Sequence, residues 1–533
     1  MKLYRKAAEQ GYAEAQYNLG VCYEKGNGVN KDITKAMELY RKAAEQGLAS
    51  AQYNLGVLYQ TGLGIAKNAV ETVKWYRKSA EQGLAQAQNN LGVCYESGYG
   101  VTKDMTQAVE LYRKSAEQGY AEAQYNLGAC YQNGYGVAKD MEIAKEWWIK
   151  ASEQGLASAQ YNLGLCYQNG YGVAKNITQA VELYRKSAEQ GLAPAQYNLG
   201  ICYQNGYGVA KNETKAVEWI LKSAEQGFAI AQFKLGQCYS DGIGIAKNKY
   251  EAFKWYSKAA EQRHAHAQYM LGGLYACGDG ITKDMTNAVE WWRKSAEHGY
   301  AMAQYVLALC YVNGEGVARD NDEAIKWYRK AADQGLVMAQ YNLGVCYQNG
   351  YGVAKDMSQA VEWWKKAADQ GYSMAQYLLG CCYVSGDGVA KDMAKAVELF
   401  RKAAEQGNAN AQTMLGGCYV SGDGVAKDMT KAVELFRKAA EQGREMAQYN
   451  LGCCYVNGDG VAKDITKAVE LFRKAAEQGN GMAQYNLGCC YANGSGVAKD
   501  KVEAVKWLRI AAKNDDEQVK QAANVMMGAL QGK

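Results

Sequence analysis

A unit of 36 residues recurs fourteen times without insertion or deletion, and this period constrains the fold more than any other feature. Gln16, for example, returns as Gln52 and at the same interval down to Gln484. An unbroken period of this length is typical of a solenoid of stacked helices, in which each unit contacts mainly its neighbours. We therefore divide the chain into a partial helix B of a preceding repeat (1–11), fourteen repeats (12–515) and a C-terminal segment (516–533).

Each unit predicts two helices. We name every repeat position by its residue number in the first unit, so that adding 36 gives the equivalent residue of the next unit. Apolar residues at helical spacing predict helix A over about 12–25 and helix B over about 33–46. Gly26 is expected to end helix A in a left-handed conformation, and Asp32, which is Asn in four units, to cap helix B. An apolar stripe over 517–530 predicts a final helix that covers the end of the last unit.

The recurring positions resemble those of the Sel1-like repeat, a relative of the tetratricopeptide repeat with a longer loop between its helices. The resemblance is carried by Ala13-x-Ala15, Leu19-Gly20-x-x-Tyr23-x-x-Gly26-x-Gly28-Val29-x-x-Asp32-x-x-x-Ala36 and Ala43-Ala44-x-x-Gly47. It implies an all-α fold, a right-handed α/α superhelical solenoid of about fourteen helix-turn-helix repeats with helix A on the concave face and a C-terminal capping helix. Members of this family act as adaptors in assembly, secretion, host contact and protein quality control. The resemblance therefore implies a non-catalytic scaffold for a protein partner.

Charge and hydropathy argue against two other classes. The formal net charge is +5 at pH 7, and basic residues recur evenly beside acidic ones, so the concentrated basic stripe that nucleic acid requires is missing. The sequence has no apolar stretch of about 18 residues, and we expect no membrane span. Residues 1–6 resemble the second half of helix B and not a secretion signal. We expect a cytoplasmic protein, or a secreted one if a leader precedes Met1.

Cysteine and histidine patterns predict packing rather than metal binding. Twelve of the sixteen cysteines occupy position 22, which Leu58 and Leu274 fill in the other two units, as a small apolar packing site would allow. No CxxC pair occurs, so we predict reduced thiols and no metal site. His264, His266 and His298 fall in one unit and could approach one another, but no carboxylate or thiolate has the matching spacing. We favour drift in a divergent unit over a metal site, and we predict no cofactor.

No motif indicates catalysis. The GxGVxKD loop lacks the GxxxxGK[ST] order of a phosphate-binding loop and recurs in every unit. β-Lactamase chemistry uses a serine with lysine three residues on, and no serine here has that neighbour. We predict a protein that is not an enzyme. The alternatives are a secreted or surface host-interaction protein and a β-lactamase-like or cell-wall hydrolase.

Binding residues are predicted where the units differ, on the side of helix A that carries positions 14, 17, 18, 21, 24 and 25, here called the helix-A face. Position 17 is Tyr in eleven units and position 18 is Asn in nine. Tyrosine offers rigid amphipathic contact area, and asparagine can pair with a peptide backbone, so we predict an extended polypeptide partner. The residues predicted to bind it are Tyr125, Asn126, Gln132, Tyr161, Asn162, Gln168, Tyr197, Asn198, Gln204, Tyr341 and Asn342. The alternative is that the tyrosine packs on the next helix A and the asparagine bonds its neighbour.

The helix-A face changes character along the chain. Position 24 is Gln in several early units and becomes Val312, Val384, Val420 and Val456 in later ones. Position 14 becomes rich in methionine over the same units, and methionine suits adaptable contact surfaces. Two binding segments would explain the change, but we favour separate tandem duplication in each half.

Overall fold

A computed structural model describes residues 2–531, and every regular element in this range is an α-helix. The chain divides into two compact bodies, Met1–His264 and Ala265–Lys533. Within each body, helix A of a unit packs against helix B of the same unit and helix B of the unit before. The predicted all-α solenoid of helix-turn-helix repeats is confirmed.

The N-terminal body holds fifteen helices in residues 2–264. They are α1 (Lys2–Glu9), α2 (Ala13–Lys25), α3 (Ile33–Glu45), α4 (Ala49–Thr61), α5 (Ala69–Glu81), α6 (Ala85–Ser97), α7 (Met105–Glu117), α8 (Ala121–Asn133), α9 (Met141–Glu153), α10 (Ala157–Asn169), α11 (Ile177–Glu189), α12 (Ala193–Asn205), α13 (Glu213–Glu225), α14 (Ala229–Asp241) and α15 (Lys249–Glu261).

The C-terminal body holds fifteen more in residues 265–531. They are α16 (Ala265–Cys277), α17 (Met285–Glu297), α18 (Ala301–Asn313), α19 (Asn321–Asp333), α20 (Val337–Asn349), α21 (Met357–Asp369), α22 (Ser373–Ser385), α23 (Met393–Glu405), α24 (Ala409–Ser421), α25 (Met429–Glu441), α26 (Glu445–Asn457), α27 (Ile465–Glu477), α28 (Gly481–Asn493), α29 (Lys501–Ala511) and α30 (Glu517–Gln531). No helix among the described residues is long and apolar enough to cross a membrane.

The helix ends follow the predicted caps. Gly26 has φ +78° and donates its N–H to the carbonyl of Cys22, which ends helix A in the left-handed conformation. Asp32 accepts a hydrogen bond at 3.0 Å from the backbone N–H of Lys35, and so satisfies one of the free donors of helix B. Helix A begins one residue later than predicted, because Tyr12 has extended backbone angles and serves as its N-cap.

Two recurring glycine positions keep neighbouring helices close. A Cβ atom on Gly92, at position 20, would lie 2.7 Å from Cε1 of Tyr112 on helix B. A Cβ on Gly172, at position 28, would lie 2.6 Å from the carbonyl oxygen of Met141 in the unit before, and Gly172 also has φ +63°. The spacing of helices within and between units therefore depends on the absence of a side chain at positions 20 and 28.

The core repeats with the units. In the fourth unit Ala123, Leu127, Ala144 and Trp148 are fully buried. Cys130, at position 22, packs into an apolar cluster with Leu127, as expected of a packing thiol. At the end of the chain α30 buries its own apolar residues against α29, in the manner of a capping helix.

A buried glutamine joins consecutive units. Gln124, at position 16, is 4% exposed, and its Nε2 donates to the carbonyl of Ala116 at 3.2 Å. Its Oε1 accepts from Nε2 of Gln154 at 2.8 Å, so one side chain bonds helix B of the unit before and helix B of its own unit. In the eighth unit Nδ1 of His298 lies 2.8 Å from Oε1 of Gln268 and takes the place of that second glutamine. His298 therefore has a structural partner, which favours the drift interpretation.

Candidate functional site

The predicted binding residues all lie on A helices and are half-buried. They project from α8, α10, α12 and α20. Neither their half-buried state nor their placement on helix A distinguishes binding from packing. The contacts of each position decide between the two.

The tyrosines of position 17 use one side of their rings for packing. The ring of Tyr161 lies 5.9 Å, centroid to centroid, from that of Tyr184 on helix B of the same unit. Tyr341 meets Tyr372, the first residue of the next unit, edge-on at 5.2 Å. These contacts belong to the packing alternative. Because each ring is half-buried, part of it still reaches the surface and can contact a partner.

Asparagines of position 18 hydrogen-bond side chains of the preceding unit. Nδ2 of Asn126 donates to Oδ1 of Asn89 at 3.0 Å. Nδ2 of Asn342 lies 3.4 Å from the hydroxyl oxygens of both Tyr305 and Tyr328. No hydrogen bond from another described residue ends on Oδ1 of Asn342, so this oxygen can still accept one from a peptide N–H.

Position 24 provides an acceptor for the tyrosine at position 40. The hydroxyl of Tyr184 donates to Oε1 of Gln168 at 2.6 Å. In the third unit the same position is Glu96, which accepts from Tyr112 at 2.5 Å. Burial raises the pKa of Tyr184 far above its usual value, so the phenol stays protonated and remains a donor. This bond occupies only Oε1 of Gln168, and Nε2 makes no hydrogen bond to another described residue.

Positions 24 and 40 are both apolar in three successive units of the C-terminal body, although unit 9 combines Val312 with Tyr328. Units 11 to 13 have Val at position 24 and phenylalanine at position 40, namely Phe400, Phe436 and Phe472. A phenyl ring has no hydroxyl to donate, so an acceptor above it would lose its partner. In these three units valine at position 24 leaves no such acceptor unpaired, and an apolar floor replaces a polar one.

Two cavities open on the helix-A face at equivalent places, one in each body. The first lies between units 5 and 6 and has a volume of 420 Å³, with Tyr184 at its floor and Gln168 and Asn198 among its lining. The second, between units 13 and 14, has a volume of 480 Å³ and is lined by Phe472 and Asn486. Both volumes fall within the range of about 300–1,000 Å³ that is usual for ligand pockets. The first cavity brings together two of the predicted binding residues, one from α10 and one from α12.

The chemistry of the first cavity is that of binding. Burial raises the pKa of the Cys202 thiol to about 11, so it is a neutral packing group and a poor nucleophile at neutral pH. The lining holds no histidine and no carboxylate, and its charged residue is Lys175. What remains is a set of amide, hydroxyl and ammonium donors over an apolar floor of Ile177 and Ile201.

Four polar residues of this lining are not among the predicted binding residues, although Asn169 lies at position 25 of the predicted face: Asn169, Lys175, Tyr184 and Tyr207. Tyr184 occupies position 40, which the helical spacing assigns to the core. Lys175 lies in the loop, where lysine recurs in nearly every unit and so attracts no notice. No sequence signal links Tyr184 to Gln168, because glutamine also occupies position 24 in units whose position 40 is Trp148 or Ile220.

A family model described as Sel1 repeat matches fifteen segments. These are residues 1–12, 13–48, 49–84, 85–120, 121–156, 157–192, 193–228, 229–264, 265–300, 301–336, 337–372, 373–408, 409–443, 445–480 and 481–516.

Solved structures give the same match. A protective antigen present in uropathogenic Escherichia coli strains, which displays an SLR fold, is 33% identical with a TM-score of 0.64, over 92% of this chain and 96% of that chain. A Sel1 repeat protein from Oxalobacter formigenes is 32% identical with a TM-score of 0.46, over 57% of this chain and 88% of that chain.

Among curated proteins, DAP3-binding cell death enhancer 1 from Rattus norvegicus and from Mus musculus is 50% identical over 34 residues. The match covers 6% of this chain and 7% of those proteins, so it amounts to about one repeat.

Proposed function

Because the chain belongs to the Sel1 repeat family, we propose that it is a non-catalytic scaffold that holds a protein partner, in extended form, along the helix-A face. The helical-repeat fold of the family is typical of protein–protein interaction scaffolds, and the family is generally non-catalytic. From the resemblance to other Sel1-like repeats we infer that helix A lines the concave face, where an extended chain would contact one unit after another.

The cavity between units 5 and 6 is the observation that carries this proposal. It combines Gln168 and Asn198, from consecutive A helices, with an apolar floor that accommodates a side chain. Nε2 of Gln168 retains two N–H donors, so the cavity can form hydrogen bonds to a peptide in addition to burying its apolar groups.

Blocking the helix-A face tests the proposal without disturbing the core. Position 25 is exposed, and the side chains of Asn133 and Asn169 bond only to carbonyls of their own helices, at 3.0 Å. The test variant carries Trp at Asn133, Asn169 and Asn205. The matched control carries Trp at Glu146, Glu182 and Glu218, which are exposed on helix B.

Both variants and the wild-type chain are used as baits in lysate from the source cells, with a chemical cross-linker and quantitative mass spectrometry. We expect partners of the wild-type chain to be lost from the helix-A variant and retained by the helix-B variant. Identical partner lists from all three baits would exclude the helix-A face as the binding surface.

Host contact by a secreted or surface-displayed chain is a second candidate, favoured by the likeness to a protective antigen of uropathogenic strains. A cytoplasmic location is the alternative proposal, and the sixteen free cysteines support it because thiols stay reduced in that compartment. Immunoblotting of cytoplasmic, periplasmic and surface fractions of the source cells separates the two locations.

A further inference from the structure

The cavity between units 5 and 6 lies where the helix-A face and the adjoining loop have lost their carboxylates. Positions 24, 25 and 27 line such a cavity, position 32 lies between two lining residues in the loop, and position 14 lies on the same side of helix A. In the first unit three of them are acidic, namely Glu14, Glu24 and Asp32. In units 5 and 6 all ten are uncharged: Ser158, Gln168, Asn169, Tyr171, Asn176, Pro194, Gln204, Asn205, Tyr207 and Asn212.

A lysine remains at the cavity without an anionic partner. Lys175 is exposed in the lining and forms no ion pair with the other described residues. The equivalent lysine of the next unit, Lys211, pairs with Glu213 at 2.8 Å. The cavity therefore combines an unpaired cation with amide donors and excludes competing carboxylates, which is the arrangement that attracts an anionic group.

The repeat itself shows what the change at position 24 does. Glu96 and Gln168 both accept a hydrogen bond from the tyrosine at position 40, at 2.5 and 2.6 Å. Exchanging Glu for Gln preserves that bond, removes a negative charge and adds N–H donors at the cavity. In unit 3 the protein itself places the carboxylate of Glu96 at this position, whereas in unit 5 a ligand can provide the carboxylate.

We propose that this cavity binds an Asp or Glu side chain of the partner peptide, with Nζ of Lys175 and Nε2 of Gln168 as donors to its carboxylate. The inference rests on the proposed function and specifies the partner as an acidic segment. The apolar floor of Ile177 and Ile201 receives the methylene groups of the side chain. In the second cavity Val456 stands where the first has Gln168, so the amide donor of the first cavity is missing there and the preference belongs to the first cavity.

A peptide selection identifies the probe. A phage library of random 12-residue peptides is panned on the immobilised full-length chain, and enriched sequences are resynthesised with fluorescein for anisotropy titration. We expect enrichment of Asp and Glu over the starting library. The same peptides with Asn and Gln in place of Asp and Glu should bind at least about 10-fold more weakly, since the charge-assisted bonds are lost.

Gln168→Glu is the critical variant, because units 1 and 3 carry this residue on the same tyrosine hydroxyl and remain folded. A like charge in the cavity should weaken the acidic peptide at least about 10-fold. Gln107→Glu is the matched control, since Gln107 is exposed on helix B of unit 3, where unit 2 carries Glu71, and this change should leave the affinity unchanged. Lys175→Gln should weaken the peptide, and Lys175→Arg should restore it.

The outcomes separate the two proposals. Enriched peptides that lack an acidic bias, or that bind Gln168→Glu as tightly as the wild-type chain, overturn the acidic pocket. If those peptides are nevertheless lost from the Trp variant of Asn133, Asn169 and Asn205, the helix-A face still binds peptide. Peptides that bind this Trp variant unchanged, or no enrichment at all, overturn both proposals.

Discussion

Replacing Gln340 by Met should destabilise unit 10 measurably, because this buried glutamine hydrogen-bonds residues of both neighbouring B helices. Gln340 is 4% exposed, its Nε2 donates to the carbonyl of Ala332 at 3.2 Å, and its Oε1 accepts from Gln370 at 2.9 Å. Methionine has a similar length but can form neither bond. The carbonyl of Ala332 still accepts from the N–H of Gly335 at 2.9 Å, so it does not lose every partner.

The expected cost follows from the two lost bonds. Each contributes about 0.5–1.5 kcal/mol to stability, and the added apolar burial of methionine offsets part of their sum. We therefore expect a loss of about 1.4 kcal/mol, which is a tenfold change in the equilibrium for local opening.

Hydrogen exchange with mass spectrometry suits this measurement, since long repeat arrays depart from two-state unfolding and open locally. Peptides from α19 and α20 should exchange about 10-fold faster in Gln340→Met, while peptides from the N-terminal body stay unchanged. Gln370→Met should cost about 1 kcal/mol alone and almost nothing when added to Gln340→Met, because both remove the same bond. Unchanged exchange in Gln340→Met, or additive effects in the double variant, would refute the linking role of the glutamine.

Three further perturbations test other contacts. Gly172→Ala should destabilise its unit by at least about 3 kcal/mol, because a Cβ would lie 2.6 Å from a backbone oxygen. At Gly155 a Cβ meets nothing within 4 Å, so Gly155→Ala should cost about 1 kcal/mol, and hydrogen exchange in α9 and α10 measures both changes. Leu471→Trp should raise the thermal midpoint of the C-terminal body, with a gain of about 1 kcal/mol, because tryptophan occupies this position in eight other units and would occupy part of a 310 Å³ cavity beside Leu471. An unchanged midpoint would contradict this. Iodoacetamide at pH 8 should label the exposed Cys277 well before Cys454, because burial raises the pKa of the Cys454 thiol to about 11, and equal labelling of the two thiols would contradict this. Since the thiol ionises near 9.0 in the unfolded chain, the free energy of unfolding should fall as the pH rises between 9.0 and about 11.

The elements of the fold could be predicted from the sequence because their causes are local. Gly26 and Asp32 act within a few residues of their own helix ends, so a repeated pattern is enough to place them. The spacing of Leu19 and Ala36 likewise defines the buried sides of helices A and B from within one unit.

The role of position 16 could not be predicted, because its partners are distant in sequence. Gln124 bonds a carbonyl eight residues earlier and a side chain thirty residues later, and neither spacing lies on one helix. In the sequence alone, Gln124 is a polar residue in an apolar pattern, and only the packing of the helices shows its partners.

The candidate site was predictable only in part. Helical spacing places Gln168 and Asn198 on the same face of consecutive A helices, and the structure brings them to one cavity. Part of the floor of that cavity comes from Tyr184 on helix B, and its charge comes from Lys175 in the loop. Tyr184 meets Gln168 through the packing of helix B on helix A within unit 5, and Asn198 joins them when unit 6 stacks on unit 5. Whether the predicted residues bind a partner stays a prediction.

Photo-crosslinking from Asn169 tests most directly whether the helix-A face holds a partner. Asn169 is exposed at the cavity, and replacing it with p-benzoylphenylalanine in the full-length chain leaves the core intact. The same amino acid at Glu182, exposed on helix B of the same unit, is the control. We predict that irradiation in the source cells gives a covalent adduct with a protein partner from position 169 and not from position 182. The same adducts from both positions, or adducts from position 182 alone, would contradict binding along the helix-A face.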